Sequence, residues 1–231
     1  MKNFLIILLS VLLFQVMSAQ QKDAKKIIND VINKFEKIKD YEVDIDVKLD
    51  MTGIKVPNMK AKLYFKQPDK IQVKSDGFAM LPKQSTNFSP SQFLQGDYTS
   101  VYVKTENIDG HNLDIVKIIP DSDSSDVVLS TLWIDVTDHV IRKFETTSKK
   151  SGTVTTELKY NKENQGLPSE IAFSFNAGNT ELPQQLKGQN ENDGNRRRSG
   201  QNISGSVIMK YSNYKINKGI PDSIFEEKKQ D

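Results

Sequence analysis

The sequence predicts an α+β chain: a single strongly curved antiparallel sheet that forms an open half-barrel, with helices covering its concave side. Three observations predict it. One amphipathic helical stripe stands near the N-terminus, the hydrophobic period then switches abruptly from helical to two, and about ten strand-length segments follow at regular spacing. One long helix and many short strands are the pattern of a sheet that curls on itself.

The chain starts MKNFLIILLSVLLFQVMSAQQ, with one positive charge, an apolar run from Phe4 to Phe14, and small residues at Ser18 and Ala19. That run is short for a membrane span and is followed at once by polar sequence, so residues 1–20 read as a secretory signal cleaved near Ala19 or Gln20. The expectation is an exported protein with one domain over residues 21–231.

From Asp23 to Lys39, Ile27, Ile28, Val31, Ile32, Phe35 and Ile38 fall on one helical stripe, with Asp23 as N-cap. Next, Tyr41, Val43, Ile45, Val47, Leu49 and Met51 alternate with Glu42, Asp44, Asp46, Lys48 and Asp50, which marks a half-buried antiparallel strand. Met59, Ala61, Leu63 and Phe65 repeat the pattern, Gln67-Pro68-Asp69 makes a turn, and Ile71 and Val73 begin a third strand. A short helix is predicted over 89–95, with Phe93 and Leu94 as apolar anchors. Further strands are predicted near 98–105, 112–119, 127–136, 139–149, 152–161, 167–176 and 203–214. Residues 177–202 are rich in Gly, Asn and Gln and read as a flexible loop insertion.

Composition excludes several functions. The chain has no cysteine, which removes disulfides, thiolate chemistry, zinc–sulfur sites and an acylated N-terminal cysteine. With 32 Lys+Arg against 30 Asp+Glu, the net charge of +2 gives no bulk attraction to nucleic acid. Arg196, Arg197 and Arg198 sit in the polar loop without interleaved aromatics, so no nucleic-acid partner is expected.

No catalytic or metal-binding motif stands out. His111 lies in a turn and His139 at the start of a strand, neither with a second histidine at ligand spacing. Asp121, Asp123 and Asp126 resemble a calcium loop loosely but lack its turn glycine and terminal glutamate. There is no nucleophile elbow, P-loop or dinucleotide fingerprint. No enzyme, cofactor or metal is therefore expected. The stretch TLWIDVTDHVIRKFE, with Trp133, Asp135, Asp138 and His139, reads as a hairpin of barrel wall.

Apolar side chains at strand spacing are what the sequence has in abundance. One helix cannot fill a sheet of this size, so the sheet encloses either a thick core or a ligand cavity. The lining is assigned to Ile45, Val47 and Leu49, to Leu63, Phe65, Ile71 and Val73, and to Val101, Val103, Ile115, Leu132 and Ile134, with Phe93 in the cover. A charge placed at Leu63 or Leu132 is expected to abolish ligand capture with the fold intact.

The order of features resembles the LolA-like carriers of outer-membrane lipoproteins. It runs from the helix and strand pair through the Gln67-Pro68-Asp69-Lys70 turn, Asp76-Gly77, Ile108-Asp109-Gly110 before LDIVKIIP, LWID, IRKFE and the Gly152 hairpin. It continues with Gly166-Leu167-Pro168-Ser169-Glu170-Ile171 and ends in YKINKGIPDSIFEE. The resemblance implies an open barrel whose apolar concavity receives lipid or lipoprotein acyl chains and carries them toward the outer membrane. It also implies an inner-membrane transporter as donor, an outer-membrane acceptor and a monomeric protein. In the family, an arginine just before the turn proline helps hold the lid closed, and here that position is Gln67. Two alternatives are an envelope-stress or surface-assembly module that binds a protein partner on the same barrel, and a hydrolase with a polar convergent site.

Overall fold

The computed structural model describes residues 22–51, 54–55, 58–75, 89–90, 97–149, 152–177 and 203–226. The predicted signal over residues 1–20, Phe93 with most of the predicted 89–95 helix, and the predicted loop from residue 178 lie outside the described residues. Helix α1 (Ala24–Phe35) precedes strands β1 (Asp40–Met51), β2 (Ile54–Lys55), β3 (Met59–Lys66), β4 (Lys70–Lys74), β5 (Tyr98–Ile108) and β6 (His111–Pro120). Strands β7 (Val127–Asp135), β8 (Ile141–Ser148), β9 (Gly152–Tyr160), β10 (Pro168–Ala177) and β11 (Ile203–Ile216) complete one antiparallel sheet. Its order is β4-β3-β1-β11-β10-β9-β8-β7-β6-β5, with the short β2 paired to β1. The first and last long strands are neighbours, and the edges β4 and β5 do not pair with each other. The sheet is an open, curved half-barrel.

Strand β1 shows why the register holds. Tyr41, Val43, Ile45 and Val47 point to the core and are at most 2% exposed. The alternate residues meet opposite charges across the ladder: Asp44 with Lys62 at 3.1 Å, Asp46 with Lys60 at 3.7 Å and Glu42 with Lys215 at 2.6 Å. A slip of one residue would bury five charges and expose the apolar set, so the pattern itself fixes the pairing.

The side chain of Asp23 caps α1, accepting from the Lys25 amide at 2.9 Å and the Lys26 amide at 3.4 Å. The helix stops at Phe35 and does not reach Lys39 as the periodicity predicts. The Glu36, Lys37 and Ile38 amides take its Ile32, Lys34 and Phe35 carbonyls, and the carbonyls just past its end are met from elsewhere in the fold. Gln67 Nε2 donates to Glu36 O at 3.1 Å and Ile38 O at 2.7 Å, and Asn217 Nδ2 donates to Lys37 O at 3.1 Å. Ile38 continues the stripe in sequence, but as a turn residue buried to 2% exposure.

The core is densest beneath the end of α1. Phe35 and Phe65 have ring centroids 5.8 Å apart, Tyr41 lies 5.1 Å from Phe65, and Tyr214 lies 5.8 Å from Tyr41. Burial pushes the Tyr41, Tyr160, Tyr211 and Tyr214 phenols far up, so all stay neutral. Tyr214 donates to Pro168 O and Tyr160 to Ile141 O, so these hydroxyls do not lie unpaired in the interior. Among the described residues no helix is long and apolar enough to cross a membrane.

Candidate functional site: the concave face of the sheet

Directly opposed residues on antiparallel strands share a face, so the register can be followed from strand to strand. One row runs Leu49, Val207, Phe173, Thr156, Phe144, Leu132, Val116 and Tyr102, crossing β1, β11, β10, β9, β8, β7, β6 and β5. The next row toward α1 includes Met59, Val47, Met209, Ile171 and Leu158. Beyond β1, Ala61, Leu63 and Phe65 on β3 and Ile71 and Val73 on β4 extend the same face. At strand spacings of about 4.8 Å the longest row spans roughly 33 Å of arc. Six of its eight residues are apolar or aromatic hydrocarbon surface without a charge, Thr156 and the Tyr102 hydroxyl being the polar atoms.

Burial along this face is graded. Ile45, Val47, Leu63, Phe65, Leu132 and Ile134 are at most 2% exposed and pack in one cluster with Ala24, Ile28 and Val31 of α1. Leu49, Met59, Ile71, Val73, Tyr98, Tyr102 and Phe173 are only partly buried at its margin. The first group is core as well as wall, and the second is the part of the face a ligand could reach.

Three residues assigned to the lining lie on the other face. Ile115 pairs with Trp133, while its neighbours Val116 and Leu132 pair on the concave side. Val101 pairs with Lys117 and is 40% exposed, and Val103 is the extra residue of a bulge and 45% exposed. The inward positions on β5 belong to Tyr98 and Tyr102. Both parities of β5 and β6 are apolar, so alternation alone could not choose a face. In the structure the larger tyrosines fill the concavity and the valines are turned out.

Helix α1 crosses one end of the half-barrel and is tied at both ends. Before its N-cap, Lys22 Nζ lies 2.6 Å from Asp114 Oδ1 and 3.1 Å from Thr105 Oγ1, with the Tyr102 ring 5.7 Å away. Thr105 also donates to Asp114 at 2.6 Å, so this buried carboxylate on the concave side of β6 is satisfied. In its last turn, Lys34 Nζ donates to Asp138 O, and its stem runs over Gly166. Gly166 has φ +97°, a conformation that favours glycine, while the Lys34 Cε that would lie 2.8 Å from an added Cβ belongs to a flexible side chain that can move aside. Sequence reasoning missed Lys22 and Asp114. The available signal was an acid, Asp114, at a buried parity inside the apolar run Leu113–Ile119, a position that needs a partner.

On the convex side, the wall hairpin holds a polar cluster. Asp135, 2% exposed, accepts the Thr137 and Asp138 amides at 2.9 Å each and Arg142 Nε at 2.6 Å, with His111 Nδ1 also 2.9 Å away. Arg142 reaches Asp138 as well, at 3.2 Å. The two acids are therefore drawn together by an arginine that knits turn to strand. His139 joins only through its backbone, its amide donating to Asp135 O at 2.9 Å. Among the described residues no group of three histidines or carboxylates is placed to hold a metal.

No family model matches the chain. No curated protein matches it by sequence. Solved structures do. A putative outer-membrane lipoprotein-sorting protein domain from Vibrio parahaemolyticus aligns with a TM-score of 0.57 at 14% identity, over 88% of this chain and 97% of that one. A DUF1329 family protein from Desulfovibrio piger aligns at 0.55 and 14% over 88% and 97%. A LolA superfamily protein from Nitrosomonas europaea aligns at 0.52 and 14%, over 89% and 98%.

The fold is LolA-like. At the turn where the resemblance implies an arginine latch, a neutral amide does the tying, since Gln67 Nε2 bonds two carbonyls past the end of α1. Gln67→Ala is expected to lower stability by about 1–2 kcal/mol, because it removes two hydrogen bonds and takes this donor from the part-buried Ile38 carbonyl, while Glu36 O keeps Lys39 Nζ. Urea unfolding checks this, and an unchanged midpoint would show that water serves these carbonyls equally well.

Proposed function

We propose that the protein is an exported, non-enzymatic carrier that binds acyl chains of lipids or lipoproteins against the concave face and moves them through the periplasm toward the outer membrane. The observation that carries this reading is the apolar face itself. It runs from β4 to β5 with few polar interruptions, chiefly Thr156 and the paired Asp114, sealed where α1 packs and only partly buried along Leu49, Met59, Val73, Phe173 and Tyr102. Each methylene withdrawn from water contributes about 0.8 kcal/mol, so partial shielding of a chain gives substantial affinity while leaving release possible. The fold shared with a lipoprotein-sorting domain supports the same reading. An inner-membrane donor and an outer-membrane acceptor belong to it as expected partners. A hydrolytic role finds no support on this face, where the buried acid Asp114 is engaged by Lys22 and Thr105.

The test is native mass spectrometry of protein recovered from the periplasm after expression with its leader. Lipid mass is expected on the native protein and is expected to be lost, with an unchanged unfolding midpoint, in Phe173→Asp. Phe173 is only partly buried, so the charge meets cargo and water more than core. Lipid retained by a folded Phe173→Asp protein would overturn the assignment of this face.

A further inference from the structure

We propose that the concave face also recognises the polar linkage of its cargo, through a shelf of hydroxyls that takes the carbonyl of an acyl ester or amide. This rests on the carrier reading above. One row beyond Tyr102, Val116, Leu132, Phe144 and Thr156, away from α1, the register places Ser100, Ile118, Ser130, Thr146 and Val154. Hydroxyls thus recur on β5, β7 and β8 at this level, with Thr156 of β9 one row below, along the border of a hydrocarbon wall.

Two facts separate this set from ordinary strand serines and threonines. Thr156 is 1% exposed and Ser130 5% exposed, so both are interior residues. Ser130 Oγ and Thr146 Oγ1 pair at 3.2 Å, but Thr156 Oγ1 and Ser100 Oγ have no hydrogen-bond partner among the described residues. The third such hydroxyl, Ser75 Oγ, follows β4 at the other edge and is not part of the shelf. Buried polar groups in native proteins are nearly always paired. Valine has almost the shape of threonine and is at home in strands, so packing between Phe144 and Phe173 does not by itself call for a hydroxyl at Thr156.

What these hydroxyls fit is a neutral acceptor. Thr146 stands directly opposite Ser130 and diagonally from Thr156 on the adjacent β9, so the Thr146 and Thr156 hydroxyls border one small group, with Ser130 behind Thr146. Their neighbours in the rows, Ile118, Val154 and Phe144, are apolar, which suits a carbonyl and disfavours a phosphate. An acylated amphiphile would lay its chain along the apolar row and its carbonyl on the shelf, displacing the side chains that close over Thr156 so that its hydroxyl donates.

Calorimetry with three soluble probes tests the idea: palmitoyl lysophosphatidylcholine, its hexadecyl ether analogue, and N-palmitoyl ethanolamine. The first two share chain length and headgroup and differ in the carbonyl, while the third presents it as an amide. The native protein is expected to bind the ester about tenfold more tightly than the ether, the size of one well-made hydrogen bond. Thr156→Val, and separately Ser130→Ala, should erase that preference by weakening the ester and not the ether. Thr156→Val should also raise the thermal midpoint of the lipid-free protein, since it removes a buried unpaired hydroxyl. The amide arm tells whether the shelf serves N-acyl as well as O-acyl chains, and the proposal holds if either carbonyl is preferred. Equal affinity for all three, unchanged in both variants, would overturn the shelf and leave the carrier reading standing. Failure of all three to bind would overturn the carrier reading and the shelf with it.

Discussion

Leu63→Asp is expected to leave the chain without a cooperative unfolding transition, whereas Phe173→Asp, on the same face, should fold. Leu63 is 0% exposed, opposed by Val43 on one side and Val73 on the other, and packed in the cluster that includes α1. Emptying such a site to alanine costs about 2–5 kcal/mol. A carboxylate there adds several more for desolvation without a partner. The sum is comparable to the whole stability of a typical domain, about 5–15 kcal/mol. Leu63→Met keeps the volume and should cost less than about 1.5 kcal/mol. Circular dichroism in urea reads all three variants. A Leu63→Asp protein with a native midpoint would mean that this position faces open cavity. The expectation from sequence that a charge at Leu63 or Leu132 spares the fold does not survive their burial, and the lipid test therefore moves to the margin of the face.

The contrast between those two positions shows where the sequence was readable. Strand β1 was plain because its two parities differ completely, one apolar and one charged, and its boundaries lie within a residue of those predicted. The hairpins from β5 to β11 were placed by their turn residues, Asp109-Gly110 and Gly152 among them, all with positive φ in the structure. Period and turns thus give the sheet. They do not give the face where both parities are apolar, as on β5 and β6, and there Val101, Val103 and Ile115 were assigned to the wrong side. Nor do they give depth. Whether an inward residue is sealed or reachable depends on how far α1 extends over it, which is set by contacts between residues far apart in sequence, such as Lys22 with Asp114 and Gln67 with Glu36 and Ile38.

The wall hairpin illustrates the same limit. Alternation correctly separated Trp133 and Asp135 from Leu132 and Ile134, and Lys143 Nζ indeed lies 4.5 Å above the outward Trp133 ring. Alternation could not bring His111, from another hairpin, to Asp135. That convergence is made by the β6–β7 pairing, in which Leu113 stands opposite Asp135.

Asp135→Ala is accordingly expected to destabilise the protein by about 3–5 kcal/mol, the cost of leaving a largely buried arginine and two turn amides without their acceptor. Asp135→Asn should cost less, because its Oδ1 can still accept the Thr137 and Asp138 amides while its amide group faces Arg142 poorly. Burial alone would raise the Asp135 pKa, but the Asp138 amide, Arg142 and the Thr137 amide outweigh it and hold the carboxyl below its ordinary value. A carboxylate whose pKa is lower folded than unfolded stabilises fully above the unfolded value, about 4, and loses that contribution as the pH falls through the folded one. The native protein should therefore lose stability below about pH 4 more steeply than Asp135→Asn. Urea midpoints of both proteins between about pH 2 and 6 should converge as the acid side is approached. A constant gap across that range would show that the charge of Asp135 is not what ties this hairpin to Arg142 and His111.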